Sequence, residues 1–226
     1  VYGMATAETT LDIFLPTYKR PHKLAEVAKN IEENTHFPFT LYFGLEKDDK
    51  EGIKAARATG HKVIVNPYEP GYSNTAQAIY EKSEGEFWFH SNDDFVHLKD
   101  WDKLPIDKLK EEPSLMVVGC HDGNPKTRYY TISMVRRSYI ETMSGVIDMP
   151  NRCFFPYNHN YQDTEFSETA IMRGVWDACT APCIEHHNPG LSHLFGEVEI
   201  DDTYRKNDKT VSADTELYYS RLGLFT

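Results

Sequence analysis

The stretch FWFHSNDDFVHLKDW, residues 87–101, decides how the chain is read. Phe87, Trp88 and Phe89 in succession describe a strand buried on both faces, as inner strands of parallel sheets are. A few residues later come Asp93 and Asp94, side by side. Adjacent carboxylates repel unless water surrounds them or a cation sits between them. The pair is therefore either a solvated turn at a strand end or the seat of a divalent ion. Carboxylate oxygens are hard ligands that suit Mg²⁺ or Mn²⁺.

Upstream, strands and helices alternate with short links. Leu11–Leu15 is a strand ended by Pro16, and Pro21 opens a helix carrying Leu24, Val27, Ala28 and Ile31 at helical spacing. Phe39–Leu45 is a second strand, and EKDDKE turns into a short helix around Ile53–Ala58. KVIVN is a third strand, PYEPGYSN a loop, TAQAIYEKSEG a helix that Gly85 ends, and EFWFH the fourth strand. This order predicts an α/β fold, a mostly parallel doubly wound sheet with helices on both faces. Ligands in such sheets bind at the carboxyl ends of the strands, where strand order reverses. The loops after Leu15, Leu45 and His90 then matter most, and the two aspartates lie in the last.

The second half is less regular. LMVVGCHDG holds a strand at Leu115–Gly119, and YYTISMVRRSYIETMSGVID reads as strand, turn and short helix. NYQDTEFSETAIMRG suits a helix opening near Asp163, where Asp163 and Glu165 would favour the positive end of the dipole. APCIEHHNPG ends a strand on His186 and His187. Neighbours on a strand point to opposite faces, so one of the two can enter a given site. Residues 196–226 are polar and read as a tail or flap, and VYGMATAETT reads as a cloning scar before a natural start at Met4.

The charge of −11, from 24 Lys and Arg against 35 Asp and Glu, disfavours nonspecific nucleic-acid binding. It suits a protein that handles anions through a bound metal. No apolar run approaches the ~20 residues of a membrane span. Cys120, Cys153, Cys179 and Cys183 contain no CxxC pair and do not read as a disulfide scaffold, so a reducing, cytoplasmic compartment is expected. Cys179, Cys183 and His186 spell C-x₃-C-x₂-H, one ligand short of a closed zinc site.

Four segments, in order, resemble the metal-dependent GT-A glycosyltransferases, most closely glycosyltransferase family 2. DIFLPTYKRPHKL resembles that family's opening strand and loop, and NPYEPGYSNTAQAIYEKSEGEFWFHSNDD its glycine-led helix and acidic metal motif. MVRRSYIETMSGVID is similar to its RR…GGFD segment, and NYQDTEFSETAIMRGVWDACTAPCIEHH to its EDTDLSLR…HH ending. The resemblance implies a GT-A, Rossmann-like fold whose residues 11–100 bind a nucleotide sugar. Residues 101–195 would supply the acceptor site and the catalytic base. It further implies that Pro16, Thr17, Tyr18 and Arg20 line the nucleotide, with Glu46 in place of the usual aspartate. Gly71, Asn74, Arg137 and Glu165 join the substrate contacts. Asp93 and Asp94 end an Asp-X-Asp motif whose first acid is replaced by Ser91 or Asn92. His186 or His187 completes the metal shell, and Asp163 is the base. The implied activity is metal-dependent, inverting transfer from a nucleotide-diphosphate donor, with a UDP-sugar favoured, to an acceptor hydroxyl on a glycan, small molecule, protein or modified nucleobase.

Arg128, Tyr129, Tyr130, Arg136, Arg137, Phe154, Phe155 and Tyr157 offer rings and guanidinium forks for an acceptor, with core packing as the alternative. A nucleotidyltransferase or sugar-nucleotide hydrolase on a similar sheet is a rival, although LPTYKRP lacks the glycine-rich phosphate loop of the former. A non-catalytic nucleotide- or glycan-binding module is another.

Overall fold

The structure is a computed structural model that describes residues 9–127 and 130–226; residues 1–8, Arg128 and Tyr129 lie outside the described residues. Its strands are β1 (Leu11–Pro16), β2 (Phe39–Leu45), β3 (Lys62–Val65), β4 (Phe87–His90), β5 (Phe95–His97), β6 (Val117–His121), β7 (Ser133–Arg136), β8 (Trp176–Pro182) and β9 (Ile184–His186). Its longer helices are α1 (Leu24–Asn34), α2 (Lys50–Ala58), α3 (Tyr72–Tyr80), α4 (Lys103–Glu111), α5 (Arg137–Met143) and α6 (Gln162–Met172). A short α7 (Ser192–Phe195) precedes α8 (Asp202–Asp208) and α9 (Val211–Arg221).

Strand alternation explains why helices cover both faces. Leu11, Ile13 and Leu15 of β1, with Phe87 and Phe89 of β4, pack among α1, Ala56 of α2 and Ile106 and Leu109 of α4. Phe14 and Trp88, one residue out of phase, pack on the other face against Ile79 of α3, Ile140 of α5 and Phe166 of α6. Phe87 and Phe89 are wholly buried, each worth about 1.5–3 kcal/mol relative to exposure.

The main sheet runs β3-β2-β1-β4-β7-β6-β8. The first four strands are parallel, while β7 runs antiparallel to both β4 and β6. Successive strands build outward from β1 toward β3, then the chain crosses back to β4 on the other side. That reversal opens a cleft at the carboxyl ends of β1 and β4. A second, two-stranded sheet pairs β5 with β9 and sets Phe95 opposite His186.

Local chemistry moves some expected boundaries. Helix α2 starts at Lys50 because Asp49 Oδ1 accepts the Gly52 amide at 2.9 Å. Helix α3 starts at Tyr72, behind Gly71 at φ 142°, and ends at Tyr80, well before Gly85. Gly85 is there for a close approach instead: a Cβ on it would stand 2.8 Å from Asp12 Oδ2, which accepts the Glu84 and Gly85 amides. The sixth strand sits at Val117–His121, two residues later than expected, and β7 passes directly into α5 without a turn. Residues 202–221 form α8 and α9, which return to the carboxyl ends of the strands.

Candidate active site

The cleft holds two adjoining cavities. The first, of about 330 Å³, lies over the ends of β1 and β2 and the N-terminus of α3, and is lined by Pro16, Thr17, Tyr18, Arg20, Glu46 and Gly71 among others. The second, of about 420 Å³, lies toward α6 and includes His90, Asp163 and His186. Tyr72, Asn92, Asp94, His159, Tyr204 and Asn207 line both.

The two adjacent aspartates have separate tasks. Asp93 is engaged by the protein: Thr17 Oγ1 donates to Oδ2 at 2.6 Å and Arg20 Nη1 to Oδ1 at 2.6 Å. Arg20 also forks onto Asp201, through Nε at 2.7 Å and Nη2 at 3.0 Å. With side chains 4% and 3% exposed, Arg20 and Asp93 form a buried pair that needs both members. Both acids were expected at the ion; both Asp93 oxygens already have protein donors, at Thr17 and Arg20, whereas Asp94 keeps one oxygen without any.

Asp94 is different. Tyr204 Oη donates to its Oδ2 at 3.0 Å, while Oδ1 is buried and carries no hydrogen bond. His186 Nε2 stands 3.5 Å from that oxygen, at the long limit of hydrogen bonding. Burial pushes the Asp94 carboxyl up, but His186 and the Tyr204 hydroxyl more than reverse this and hold it below its ordinary value. Burial likewise pushes His186 down, and Asp94 more than reverses that, leaving the imidazole above its ordinary value of 6.5. An orphaned buried carboxylate oxygen beside an imidazole is a donor set that fits Mn²⁺ or Mg²⁺. The β5–β9 pairing sets the His186 ring, and not that of His187, beside Asp94. The His187 amide donates to the Asp94 carbonyl at 2.8 Å, but its ring turns away to Glu185 at 2.8 Å and stacks on Phe195.

Asp163 sits in the first turn of α6, behind Tyr161, whose φ of 71° turns the chain sharply into the helix. It caps nothing at Tyr161. Its Oδ2 accepts from Thr131 Oγ1 at 2.7 Å and its Oδ1 from the Thr164 amide at 2.9 Å, which aims the carboxylate into the second cavity. Its charge reaches Tyr72, His90, His159 and His186. Burial pushes His90 down to about 4, so this ring is neutral, and its Nε2 accepts the Ser133 amide at 2.9 Å.

Three expected substrate contacts lie elsewhere. Arg137 binds the Gly85 carbonyl and Ser83 and covers Tyr80, at the opposite end of β4. Glu165 is buried under Arg221, at 2.7 and 3.0 Å, and Tyr157 at 2.7 Å. Asn74 ties the Glu69 carbonyl to Arg152, at 3.0 and 2.8 Å. Glu46 reaches the cavity but also organises it, accepting from the Gly71 amide at 3.0 Å and Thr75 Oγ1 at 2.9 Å. Of the ring and guanidinium candidates, Phe154 and Tyr157 are core, Phe155 lies under Arg221, Tyr130 stacks on His121, and Arg136 pairs with Glu86.

The residues that sequence reasoning missed come from the C-terminal arm: Asp201, Tyr204 and Lys206, the last lying 4.3 Å over the Tyr18 ring. His159 was missed too; its Nε2 meets Asn207 at 2.9 Å. A hollow of about 830 Å³ opens at the amino ends of β1–β3, but it lies away from these groups.

A scan against protein-family models finds no match, and neither does a comparison with curated proteins. Solved structures do match. Glucosyl-3-phosphoglycerate synthase from Mycobacterium tuberculosis, with Mn²⁺, UDP-glucose and phosphoglyceric acid, superposes with a TM-score of 0.63, 12% identity, and 84% of this chain covering 76% of that one. The same enzyme with Mg²⁺ and UDP gives 0.60 at 12% identity, over 83% and 75%. The chain has the GT-A fold. A second solved structure, described as a mycobacterial protein, gives 0.58 at 14% identity, over 83% and 70%. Among the described residues, no helix is long and apolar enough to cross a membrane.

Proposed function

We propose that the protein is a metal-dependent, inverting glycosyltransferase that moves a sugar from a nucleotide diphosphate to an acceptor hydroxyl. The observation that carries this reading is Asp94 Oδ1, buried without a hydrogen bond and facing His186 where the two cavities meet. The GT-A neighbours support it, since they are complexes with UDP-glucose or UDP and with Mn²⁺ or Mg²⁺.

The first cavity takes the donor. Tyr18 supplies a ring for a base, with UDP favoured from the neighbours, and Lys206 and the N-terminus of α3 supply positive potential for the diphosphate. Asp94 and His186 would hold the ion, which when bound neutralises charge on the departing diphosphate. Asp93 acts through Arg20, fixing the loop that follows β1. In the second cavity Asp163 takes the proton of the acceptor hydroxyl as its oxygen bonds to the anomeric carbon and the bond to the diphosphate breaks. One base and one displacement invert the anomeric centre.

The test is turnover of UDP-glucose and other nucleotide sugars with Mn²⁺ over a panel of hydroxyl acceptors, followed by NMR of the product. Metal-dependent release of nucleotide diphosphate and an inverted anomeric centre are expected. Retention would remove Asp163 as base in a single displacement, and no release from any nucleotide sugar would remove the donor assignment.

His186 must give up its proton to ligate an ion. With its value raised above 6.5, Mn²⁺-dependent UDP affinity is expected to weaken on acidification through a window that opens above pH 6.5. Calorimetric titrations across that window check it, and a flat profile would take His186 out of the metal shell.

A further inference from the structure

Three of the four cysteines meet at one point, remote in sequence from the acids of the cleft. Cys120 of β6, Cys179 of β8 and Cys183, in the link from β8 to β9, bring their Sγ atoms within 4.8 Å of one another. All three are at most 2% exposed. The convergence coincides with an irregularity in the sheet. Between the pairs Gly119↔Ala178 and His121↔Pro182, β6 advances two residues (119 to 121) while β8 advances four (178 to 182). The extra residues fall in the stretch of β8 that holds Cys179 and leads into Cys183, and such irregularities are features a fold retains for a purpose.

We infer that Cys120, Cys179 and Cys183 form a three-thiolate site for a soft, thiophilic cation of the Zn²⁺ or Cu⁺ class. With metal–sulfur bonds of about 2.3 Å, three sulfurs around one ion stand about 4 Å apart, within the separation present here. Thiolate sulfur selects these ions over Mg²⁺ or Mn²⁺, so the site and the cleft do not compete for the same metal. Besides one another, these thiols meet the Val118 carbonyl, 3.8 Å from Cys120 Sγ, and the Ala181 carbonyl, 3.6 Å from Cys183 Sγ. The sulfurs thus have no strong competing partner. The motif C-x₃-C-x₂-H contributes its two cysteines, but the third ligand is Cys120 and His186 goes to Asp94.

The site has a structural consequence. Cys183 is pinned on both sides, its amide donating to the His121 carbonyl at 2.9 Å and its carbonyl accepting from the Leu98 amide at 3.0 Å. An ion joining it to β6 and β8 fastens the root of β9, the strand that carries His186 three residues on. The inference does not depend on the transferase reading.

The test uses the full chain, purified reduced and without added metal, then washed with EDTA. Elemental analysis is expected to find about one equivalent of Zn²⁺ or Cu⁺ per chain, and separate anaerobic reconstitutions with each ion tell the two apart. Titration with Cd²⁺ is expected to raise an ultraviolet sulfur-to-metal charge-transfer band that saturates at about one equivalent. Cys179→Ala and Cys183→Ala are expected to lose the band. Cys153→Ala, a buried cysteine in the other core, and Asp94→Ala are expected to keep it. Should the cluster variants fail to fold, the wild-type titration decides alone. No bound ion and no Cd²⁺ band in the wild type would make the three thiols ordinary core side chains and overturn the inference.

Discussion

Replacing Asp163 with asparagine is expected to lower kcat by about 10²–10⁴-fold while leaving the affinity for the nucleotide donor unchanged. Asparagine keeps the shape of the side chain, and its single carbonyl oxygen can still accept from Thr131 Oγ1 at the cost of the bond from the Thr164 amide, so the second cavity persists. What it removes is the capacity to take a proton. Donor affinity is spared because Asp163 lines only the cavity on the acceptor side. Initial rates with saturating donor, beside calorimetric titration of the nucleotide, separate the two quantities. A variant with undiminished kcat would remove Asp163 as base. A variant that lost donor binding equally would place the residue in the donor site instead.

Much of this arrangement was legible in the chain. The alternation of Leu11, Ile13 and Leu15 with Phe14, and of Phe87 and Phe89 with Trp88, is a local property of single strands, so the parallel half of the sheet could be read directly. The rule that such sheets bind ligands at their carboxyl ends led to the loops after Leu15, Leu45 and His90, while the strand order itself was not legible. The division between Asp93 and Asp94 was hidden, because it depends on Arg20 and Thr17 reaching one carboxylate and on β9 laying His186 beside the other. Pairing between β5 and β9 spans some ninety residues and leaves no periodic trace (Phe95 faces His186). The C-terminal arm was hidden for a similar reason. Asp201, Tyr204 and Lys206 look like solvated helix residues until Arg20, Asp94 and Tyr18 are seen beneath them. Arg137 and Glu165 show the converse: a charged residue in a recognisable motif can be bound wholly by its own fold, as Arg137 is by Gly85 and Ser83.

The second large effect concerns Asp94. Among the described residues its Oδ1 is the one cleft carboxylate oxygen that is both buried and without a hydrogen bond, so removing Asp94 costs the metal site its principal ligand, and costs the fold the Tyr204 hydrogen bond and the His186 pairing. Loss of groups that merely orient a ligand already costs 10–100-fold in metal affinity. Loss of the ligand itself is expected to weaken Mn²⁺-dependent UDP binding by about 100-fold or more, in a variant that still folds but is somewhat less stable without metal because Tyr204 and His186 lose their partner. Asp93→Ala differs: it takes from Arg20 one of its two carboxylates and from Thr17 Oγ1 its acceptor, and is expected to destabilise the fold by about 1–3 kcal/mol while Asp201 still holds the guanidinium. The decisive measurement is calorimetric titration of UDP into the wild type and Asp94→Ala, each with and without Mn²⁺. The predicted result is binding by the wild type that requires Mn²⁺ and is absent from the folded variant. Equal binding by both proteins, or binding indifferent to the ion, would contradict the assignment of this cleft as a metal-dependent nucleotide-sugar site.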